Sequence, residues 1–203
     1  MKNKKDISAL IEDFHERSLY IPTRTIYMGS ETISEEDFSE SGCDALMAER
    51  VIKNIHILDS LNQAPINILM DNIGGDEYHC FAIMDAIQTS RSKITITAFG
   101  CAMSAGSMIL QAADCRIMAA SCIQMIHYGT WGGCDHSKTA QKHAKEGLRI
   151  DRWMEQLYLE RITKNNPTFK LSKLKRMLDH DTYLTAEESV KLGLADKVLR
   201  RKQ

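Results

Sequence analysis

The spacing of apolar residues divides the chain into short strands and amphipathic helices. Short runs rich in apolar and β-branched residues predict strands at Thr23–Gly29, Ile66–Asp71, Lys93–Gly100, Cys115–Met118, Gln124–Tyr128 and Lys197–Leu199. Stretches with helical spacing predict helices at Asp76–Gln88, Ser104–Ala113, Leu171–Leu178 and, before the second strand, from near Ser34 or Asp44 to Leu61. This alternation predicts an α/β fold of repeated strand–helix units, with a largely parallel sheet and right-handed crossovers.

The longest predicted helix covers about residues 137–164. Its apolar residues recur close to the helical period, at positions 140, 144, 147, 148, 154, 157, 158 and 162. At ~1.5 Å per residue this helix is about 40 Å long, which is more than a domain of this size needs. Further on, Thr185-Ala186-Glu187-Glu188 is a capping box that opens a last helix, which ends at Gly193.

The first 22 residues differ in character from the rest of the chain. Residues 1–22 form a charged, weakly amphipathic arm ending at Pro22, with a helix expected from about Asp6 to Arg17. The remaining residues, 23–203, are predicted to form one domain, because a chain of 203 residues has room for one domain and a short arm.

Composition and charge restrict the classes of function. The chain is 43% apolar and 26% charged, which is typical of a soluble globular protein. Its formal net charge of −1 argues against a nucleic-acid binder that relies on a basic field. Its apolar runs are far shorter than the ~20 residues that span a bilayer, and the charged N-terminus lacks the apolar stretch of a signal peptide. We therefore expect a cytoplasmic protein.

The cysteines do not predict a metal site or a disulfide framework. The six residues show no C-x-x-C spacing, and without a secretion signal they are expected to stay reduced. One cluster, Cys134, His136 and His143, has the right side chains for zinc but no nearby fourth ligand. A polar loop leading into a helix is the favoured interpretation, so we predict neither a metal nor a cofactor.

Candidate chemistry lies at two turns where predicted strands run into helices, the edge at which parallel sheets bind ligands. The turn Gly100–Ser107 presents Ser104 beside the backbone N–H of Ala105, which suits an acyl-transfer nucleophile with a donor for the oxyanion. Taken alone, this turn favours a simple helix cap for Ser104. The other turn ends in Gly74-Gly75, which can offer a second N–H, although most such pairs are only turns.

A base and a carboxylate would complete such a site. Among the seven histidines, His127 ends a short apolar strand, which would hold its imidazole at the sheet edge. Asp179 and Asp181 flank His180 in a turn before the capping box, and either carboxylate can orient an imidazole. For each of these residues taken singly, a structural role is the favoured interpretation.

Taken jointly, the motifs resemble those of the ClpP family, the proteolytic subunits of the Clp protease. Asn72-Ile73-Gly74-Gly75 is similar to the family's Ser-Pro-Gly-Gly turn, and Gly100–Gly106 is similar to its Gly-x-Ala-x-Ser-Met-Gly motif. Met125-Ile126-His127 matches Met-Ile-His, and Asp181–Glu188 matches Asp-x-x-(Met/Leu)-(Ser/Thr)-Ala-x-Glu. Gly193–Asp196 matches the family ending Gly-Leu-(Ile/Val)-Asp. Five motifs in family order form a specific resemblance.

The resemblance extends from about residue 25 to residue 199 and implies the ClpP/crotonase-like fold and a serine endopeptidase. It implies a catalytic triad of Ser104, His127 and Asp181, with Asp179 outside it. The implied oxyanion donors are the N–H groups of Gly75 and Ala105. Further implied substrate-binding positions are Gly74, Asp76, Tyr128 and Gly129.

The resemblance also implies an assembly. The long helix corresponds to the family's handle, through which two heptameric rings stack, so the expected partners are further copies of this chain and peptide or unfolded protein substrates. The family's aromatic positions that receive ATPase loops correspond to Asn67, Leu69 and Thr89, so a Clp-type ATPase partner does not follow. The arm 1–22 does not resemble the family's pore-lining hairpin.

Two departures affect the site itself. Ile73 replaces the family proline, which removes a preset φ angle from the oxyanion turn, and Tyr128-Gly129 replaces Gln-Pro after the histidine. Such divergence also resembles the Clp-like proteases of phages, some of which serve capsid maturation. Two alternatives remain beside an active protease: a non-catalytic ring subunit and a crotonase-type acyl-CoA enzyme, which uses the same fold and paired N–H donors.

Overall fold

The computed structural model describes residues 4–29, 42–129 and 136–200. Its helices are α1 Lys4–Arg17, α2 Ala45–Leu61, α3 Glu77–Thr89, α4 Ala105–Ala112, α5 Ser137–Asn165, α6 Leu171–Leu178 and α7 Ala186–Leu192. Its strands are β1 Leu19–Tyr20, β2 Thr25–Gly29, β3 Ile66–Asn72, β4 Ile94–Met103, β5 Cys115–Ala119, β6 Ile123–Ile126, β7 Thr182–Thr185 and β8 Lys197–Leu199. The predicted strands and helices in this part of the chain are confirmed, most of them to within one or two residues.

The strands form one mixed sheet with a parallel centre. Strands β2, β3, β4, β5 and β8 lie side by side in parallel, which confirms the predicted topology. The short strand β1 pairs antiparallel with β2 at one edge. The end of β4 also pairs with β6, and β6 pairs antiparallel with β7. Sequence analysis did not predict β1 or β7, because neither carries the apolar run that marks a strand.

One face of the parallel sheet carries the core. Ile26, Ile68 and Ile96 stand next to one another in the register of β2, β3 and β4, and all three are fully buried. Their sequence neighbours point to the opposite face, because side chains alternate along a strand. Burying each isoleucine stabilises the fold by roughly 1.5–3 kcal/mol, which fixes the strand register.

Helix N-termini are defined by capping side chains. The Asp44 carboxylate accepts a hydrogen bond from the Met47 N–H at 2.8 Å, which places the start of α2 at the second of its two predicted positions. The other position, Ser34, lies outside the described residues. At α7 the Thr185 and Glu188 side chains cap each other's backbone, which confirms the predicted capping box.

The longest helix is α5, with 29 residues. Its buried residues lie from Gly147 onward, whereas residues 137–145 are exposed along their whole length. The first third of this helix therefore extends beyond the core, whereas the rest of the helix packs one face against it. In the described ranges, no helix combines the length and apolar character needed to cross a membrane.

Candidate active site

The sheet topology brings together three residues that are far apart in sequence. Ser104 follows β4, His127 follows β6, and Asp181 precedes β7. Since β6 pairs with both β4 and β7, the ends of these strands meet at one edge of the sheet. This edge contains the carboxyl ends of β3 and β4, where the sequence predicted the candidate chemistry.

The side chains of these three residues form a continuous hydrogen-bonded chain. The Ser104 Oγ lies 2.9 Å from the His127 Nε2, and the His127 Nδ1 lies 2.9 Å from the Asp181 Oδ1. An ionised carboxylate only accepts hydrogen bonds, so the proton of the neutral imidazole is on Nδ1. The Nε2 lone pair is then available to accept the Ser104 hydroxyl proton, as a general base requires.

The hydroxyl of Ser104 does not cap α4. Ser104 occupies the N-cap position, yet within the described residues its side chain makes no capping hydrogen bond and instead contacts His127. Its backbone has φ 50° and ψ −124°, a strained conformation for a residue with a side chain. The Ser104 N–H donates to the Met125 carbonyl at 2.9 Å, which ties this strained turn to the end of β6. The cap interpretation, which the turn alone favoured, is therefore wrong for the side chain.

The structure also distinguishes the two candidate carboxylates. Asp179 is the C-cap residue of α6, and its N–H closes that helix on the Lys175 carbonyl. Asp181 lies two residues further on, at the start of β7, where it reaches His127. Its second carboxylate oxygen lies 3.5 Å from the Tyr183 hydroxyl. Asp181 is thus the carboxylate in contact with the imidazole, whereas Asp179 ends α6.

Of the two glycines in the other turn, Gly74 packs directly against the nucleophile turn, the turn that carries Ser104, and Gly75 packs against Cys43. Gly74 and Gly75 have φ angles of 109° and 141°, which residues with side chains rarely adopt. A Cβ atom on Gly74 would come within 2.6 Å of the Ser104 Cβ and 3.2 Å of the Ala105 N. Gly75 and Ala105, whose N–H groups are the expected oxyanion donors, each directly follow a residue of this close contact.

The polar groups at two of the expected substrate-binding positions have partners within the protein. The Asp76 carboxylate caps α3 by accepting the His79 N–H at 3.0 Å. The Tyr128 N–H donates to the Leu178 carbonyl, and the Tyr128 hydroxyl donates to the Glu155 carboxylate at 2.6 Å. Substrate binding at Gly74, Asp76, Tyr128 and Gly129 stays a prediction.

Sequence analysis missed Glu155 and Lys175, which support the His127 end of the site. Glu155 on α5 is buried, accepts the Tyr128 hydroxyl, and forms an ion pair with Lys175 on α6 at 3.1 Å. Burial raises the pKa of Tyr128 above its ordinary value, and the hydrogen bond to Glu155 adds to this. The sequence signal that could have identified Glu155 is its place next to Met154, within the apolar stripe of α5, where a charged residue needs a buried partner.

Two buried thiols near the site are poor rival nucleophiles. Burial, together with the nearby Asp76 carboxylate, raises the pKa of the Cys43 thiol to about 12. Burial also raises the pKa of Cys80 well above its usual range. Both therefore remain thiols at neutral pH, whereas a cysteine nucleophile must be a thiolate. In the described ranges no group of three or more potential ligands can hold a metal ion, and Cys134 of the suggested zinc cluster lies outside them.

Comparisons with known proteins bear on this geometry. The family model described as Clp protease matches residues 31–202. The chain belongs to the Clp protease family. It is 28% identical over 159 residues to the ATP-dependent Clp protease proteolytic subunit of Deinococcus radiodurans, covering 77% of this chain and 76% of the relative. It is 27% identical over 164 residues to the ATP-dependent Clp protease proteolytic subunit 2 of Pseudomonas aeruginosa, covering 80% and 79%.

Family membership makes this chain a serine endopeptidase of the Clp type, and the α/β architecture is the fold of that family. The resemblance inferred from the five sequence motifs is confirmed. The crotonase-type acyl-CoA enzyme is the less suitable description of this chain, because the family model and the relatives that match it are those of the Clp protease.

Proposed function

We propose that this Clp protease family member hydrolyses peptide bonds through Ser104, His127 and Asp181. The observation that carries the proposal is the unbroken chain of 2.9 Å contacts from the Ser104 Oγ through the imidazole to the Asp181 carboxylate. An intact triad favours an active subunit over a non-catalytic ring component, which has no need of this alignment.

The chemistry proceeds in two half-reactions. The Ser104 Oγ attacks the substrate carbonyl carbon while the His127 Nε2 takes the hydroxyl proton, and Asp181 stabilises the imidazolium that results. The oxyanion accepts hydrogen bonds from the N–H groups of Gly75 and Ala105, and the latter begins α4, so the positive end of the helix dipole adds to its stabilisation. The protonated His127 then gives its proton to the leaving amine. Water, activated by the same imidazole, hydrolyses the acyl-enzyme and regenerates Ser104.

The proposal includes a closed homo-oligomer of heptameric rings that admits peptides and unfolded segments. It is supported by α5, whose first residues, 137–145, are exposed in the single chain and available to contact another copy. The relatives' names describe ATP-dependent proteases. An ATPase partner is not part of this proposal, because Asn67 and Thr89 are exposed polar residues where the family has aromatic ones.

A fluorophosphonate probe tests the proposed nucleophile directly. The purified assembled protein is incubated with the probe beside Ser104→Ala, His127→Ala and, as a matched control, Ser121→Ala, which alters an exposed serine between β5 and β6. Mass spectrometry should locate the label on Ser104 in the parent chain and in Ser121→Ala, and find none in the other two variants. An assembled parent chain that takes up no label at Ser104 would contradict autonomous catalysis.

A further inference from the structure

The peptide unit between Gly74 and Gly75 carries one of the two proposed oxyanion donors. Both glycines can adopt many backbone conformations, and Ile73 does not restrain φ as a proline would. Ile73 is also 40% exposed, so its side chain is only loosely held by packing. An oxyanion donor must nevertheless point in a fixed direction to favour the transition state, so other groups must hold this peptide.

The carbonyl side of this peptide is held by the main chain of Cys43. The Cys43 N–H donates to the Gly74 carbonyl at 2.5 Å, and the Asp76 N–H donates to the Cys43 carbonyl at 2.8 Å. Because a trans peptide is planar, its N–H points opposite to its carbonyl. The Gly75 N–H therefore points away from Cys43. The preceding residue of the same peptide, Gly74, contacts the turn that carries Ser104.

The other side of Gly74 is held by the side chain of Asn72. Asn72 is fully buried at the end of β3, and its Oδ1 accepts the Gly74 N–H at 2.9 Å. Its Nδ2 lies 3.3 Å from the Met47 Sδ on α2, which leaves the amide oxygen facing the turn. A Cβ atom on Gly106 would come within 2.6 Å of the Asn72 Oδ1, so α4 lies directly against the same amide.

We infer that Asn72 is a positioning residue for oxyanion binding, an inference that rests on the proposed serine-protease function. Its amide holds the Gly74 N–H through a local turn of the kind that asparagine side chains form two residues ahead. Together with Cys43 it restrains Gly74 from both sides, which sets the direction of the Gly75 N–H. Its contact with Gly106 also joins the oxyanion turn to the helix that carries Ser104. Asn72 thus restrains the backbone of this turn, which Ile73 does not restrain as a proline would.

The test compares variants that keep or remove the acceptor at position 72. Asn72→Leu keeps the branching and the number of side-chain heavy atoms without an acceptor, and Asn72→Ser keeps a shorter side-chain acceptor for the Gly74 N–H. Asn54→Leu is the matched control, because Asn54 is also buried and its amide bonds the Arg17 carbonyl, remote from the triad. Each variant is checked for assembly and melting temperature before kinetics with a fluorogenic peptide.

Asn72→Leu should lower kcat by about 10- to 100-fold and leave KM within about twofold, because the oxyanion contact forms only in the transition state. A peptide aldehyde, whose hemiacetal with Ser104 places an oxygen in the same position, should bind more weakly by the factor by which kcat/KM falls. Asn72→Ser should recover most of both quantities. Asn54→Leu should lower the melting temperature without changing either.

Amide hydrogen exchange tests the structural half of the inference without relying on activity. The peptide containing Gly74 and Gly75 should exchange faster in Asn72→Leu than in the parent chain, and Asn54→Leu should leave it unchanged. An Asn72→Leu variant with parental kcat, aldehyde affinity and exchange would overturn the inference while the triad still acts. If the parent chain shows no hydrolysis that depends on Ser104, the proposed function is wrong. If the exchange of the Gly74–Gly75 peptide is then also the same in Asn72→Leu as in the parent chain, the inference about Asn72 is wrong as well.

Discussion

At the scale of single residues, the site depends on close contact between two turns. Ser104 is held in a strained conformation, and Gly74 approaches it so closely that no side chain fits between them. Strain of this kind costs about 1–3 kcal/mol per residue and persists only where surrounding contacts hold it. Here the Met125 carbonyl and the packing of Gly74 supply those contacts.

Gly74→Ala is expected to remove most activity and to destabilise the fold. The new Cβ atom would lie 2.6 Å from the Ser104 Cβ and 3.0 Å from the Met103 carbonyl oxygen, so the nucleophile turn must shift. A displacement on the order of 1 Å lowers kcat/KM by about 100-fold. Peptidase kinetics and urea unfolding measure the two effects.

Gly193→Ala is the control for Gly74→Ala, because it places alanine at another glycine with a positive φ angle that does not contact Ser104. Gly193 caps α7 with φ 97°, and its nearest neighbours are Arg161 and Asn165, away from the triad. Alanine there should cost about 1–2 kcal/mol of unfolding free energy with kcat/KM unchanged within about twofold. Equal loss of activity in both variants would mean that global destabilisation, and not the Ser104 contact, explains the effect of Gly74→Ala.

At the scale of elements, α5 and α6 hold the strand end that carries His127. The Tyr128 hydroxyl and the Lys175 ammonium both contact the buried Glu155 carboxylate, so one side chain links β6 to two helices. A buried carboxylate is stable only when such partners satisfy it. The long helix therefore has a local role in the site, separate from any role of its exposed first turns.

Tyr128→Phe tests this link, and Tyr78→Phe is a matched control because its hydrogen-bond partner also lies on α5. Removing the Tyr128 hydroxyl leaves the buried Glu155 with one partner fewer, so we expect a loss of about 1–2 kcal/mol of unfolding free energy. Tyr78→Phe also removes a hydrogen bond to a glutamate of α5, Glu146, but Tyr78 is 51% exposed. Water replaces that partner, so its cost should stay within about 0.5 kcal/mol. Equal costs in urea denaturation would contradict the role of burial.

At the scale of the whole molecule, a partly buried ion pair joins the C-terminal strand to the sheet. Arg116 on β5 donates to Asp196 through its side chain and its backbone N–H, and its guanidinium also reaches the Gly193 carbonyl. The Arg116 side chain is 6% exposed. Burial alone would raise the pKa of Asp196, but the hydrogen bonds from Arg116 outweigh it and hold that pKa below its ordinary value.

Asp196→Asn should therefore destabilise the protein in a pH-dependent way. A carboxylate whose pKa is lower in the folded state stabilises it above the unfolded-state pKa of about 3.9, and this contribution disappears as the pH falls through the folded-state pKa. At pH 7 the variant should lose on the order of 2 kcal/mol, reduced from a fully buried pair because a third of the Asp196 side chain is exposed. Urea unfolding of both proteins from pH 7 down to pH 3 should show the difference shrinking, and a constant difference would contradict the ionic origin.

The amino-acid sequence by itself determined the order of elements and most of their bounds. Local patterns carry this information: apolar spacing marks the parallel strands and the long helix, and Asp44 and Thr185 bear the capping side chains that start α2 and α7. The family resemblance was also readable, since five motifs occur in order. The strands β1 and β7 were not, because they form by pairing with a neighbour and not from a pattern of their own.

Only the tertiary structure decided which residues share a site. Ser104 contacts His127 across 23 residues of sequence, and His127 contacts Asp181 across 54, and both contacts depend on the pairing of β6 with β4 and β7. For this reason local sequence favoured a cap for Ser104 and left Asp179 and Asp181 equal. The same holds for Asn72, whose role depends on main-chain groups of Cys43 and Gly74 that have no sequence signature. Side-chain identity is local information, whereas the direction of a hydrogen bond is set by the fold around it.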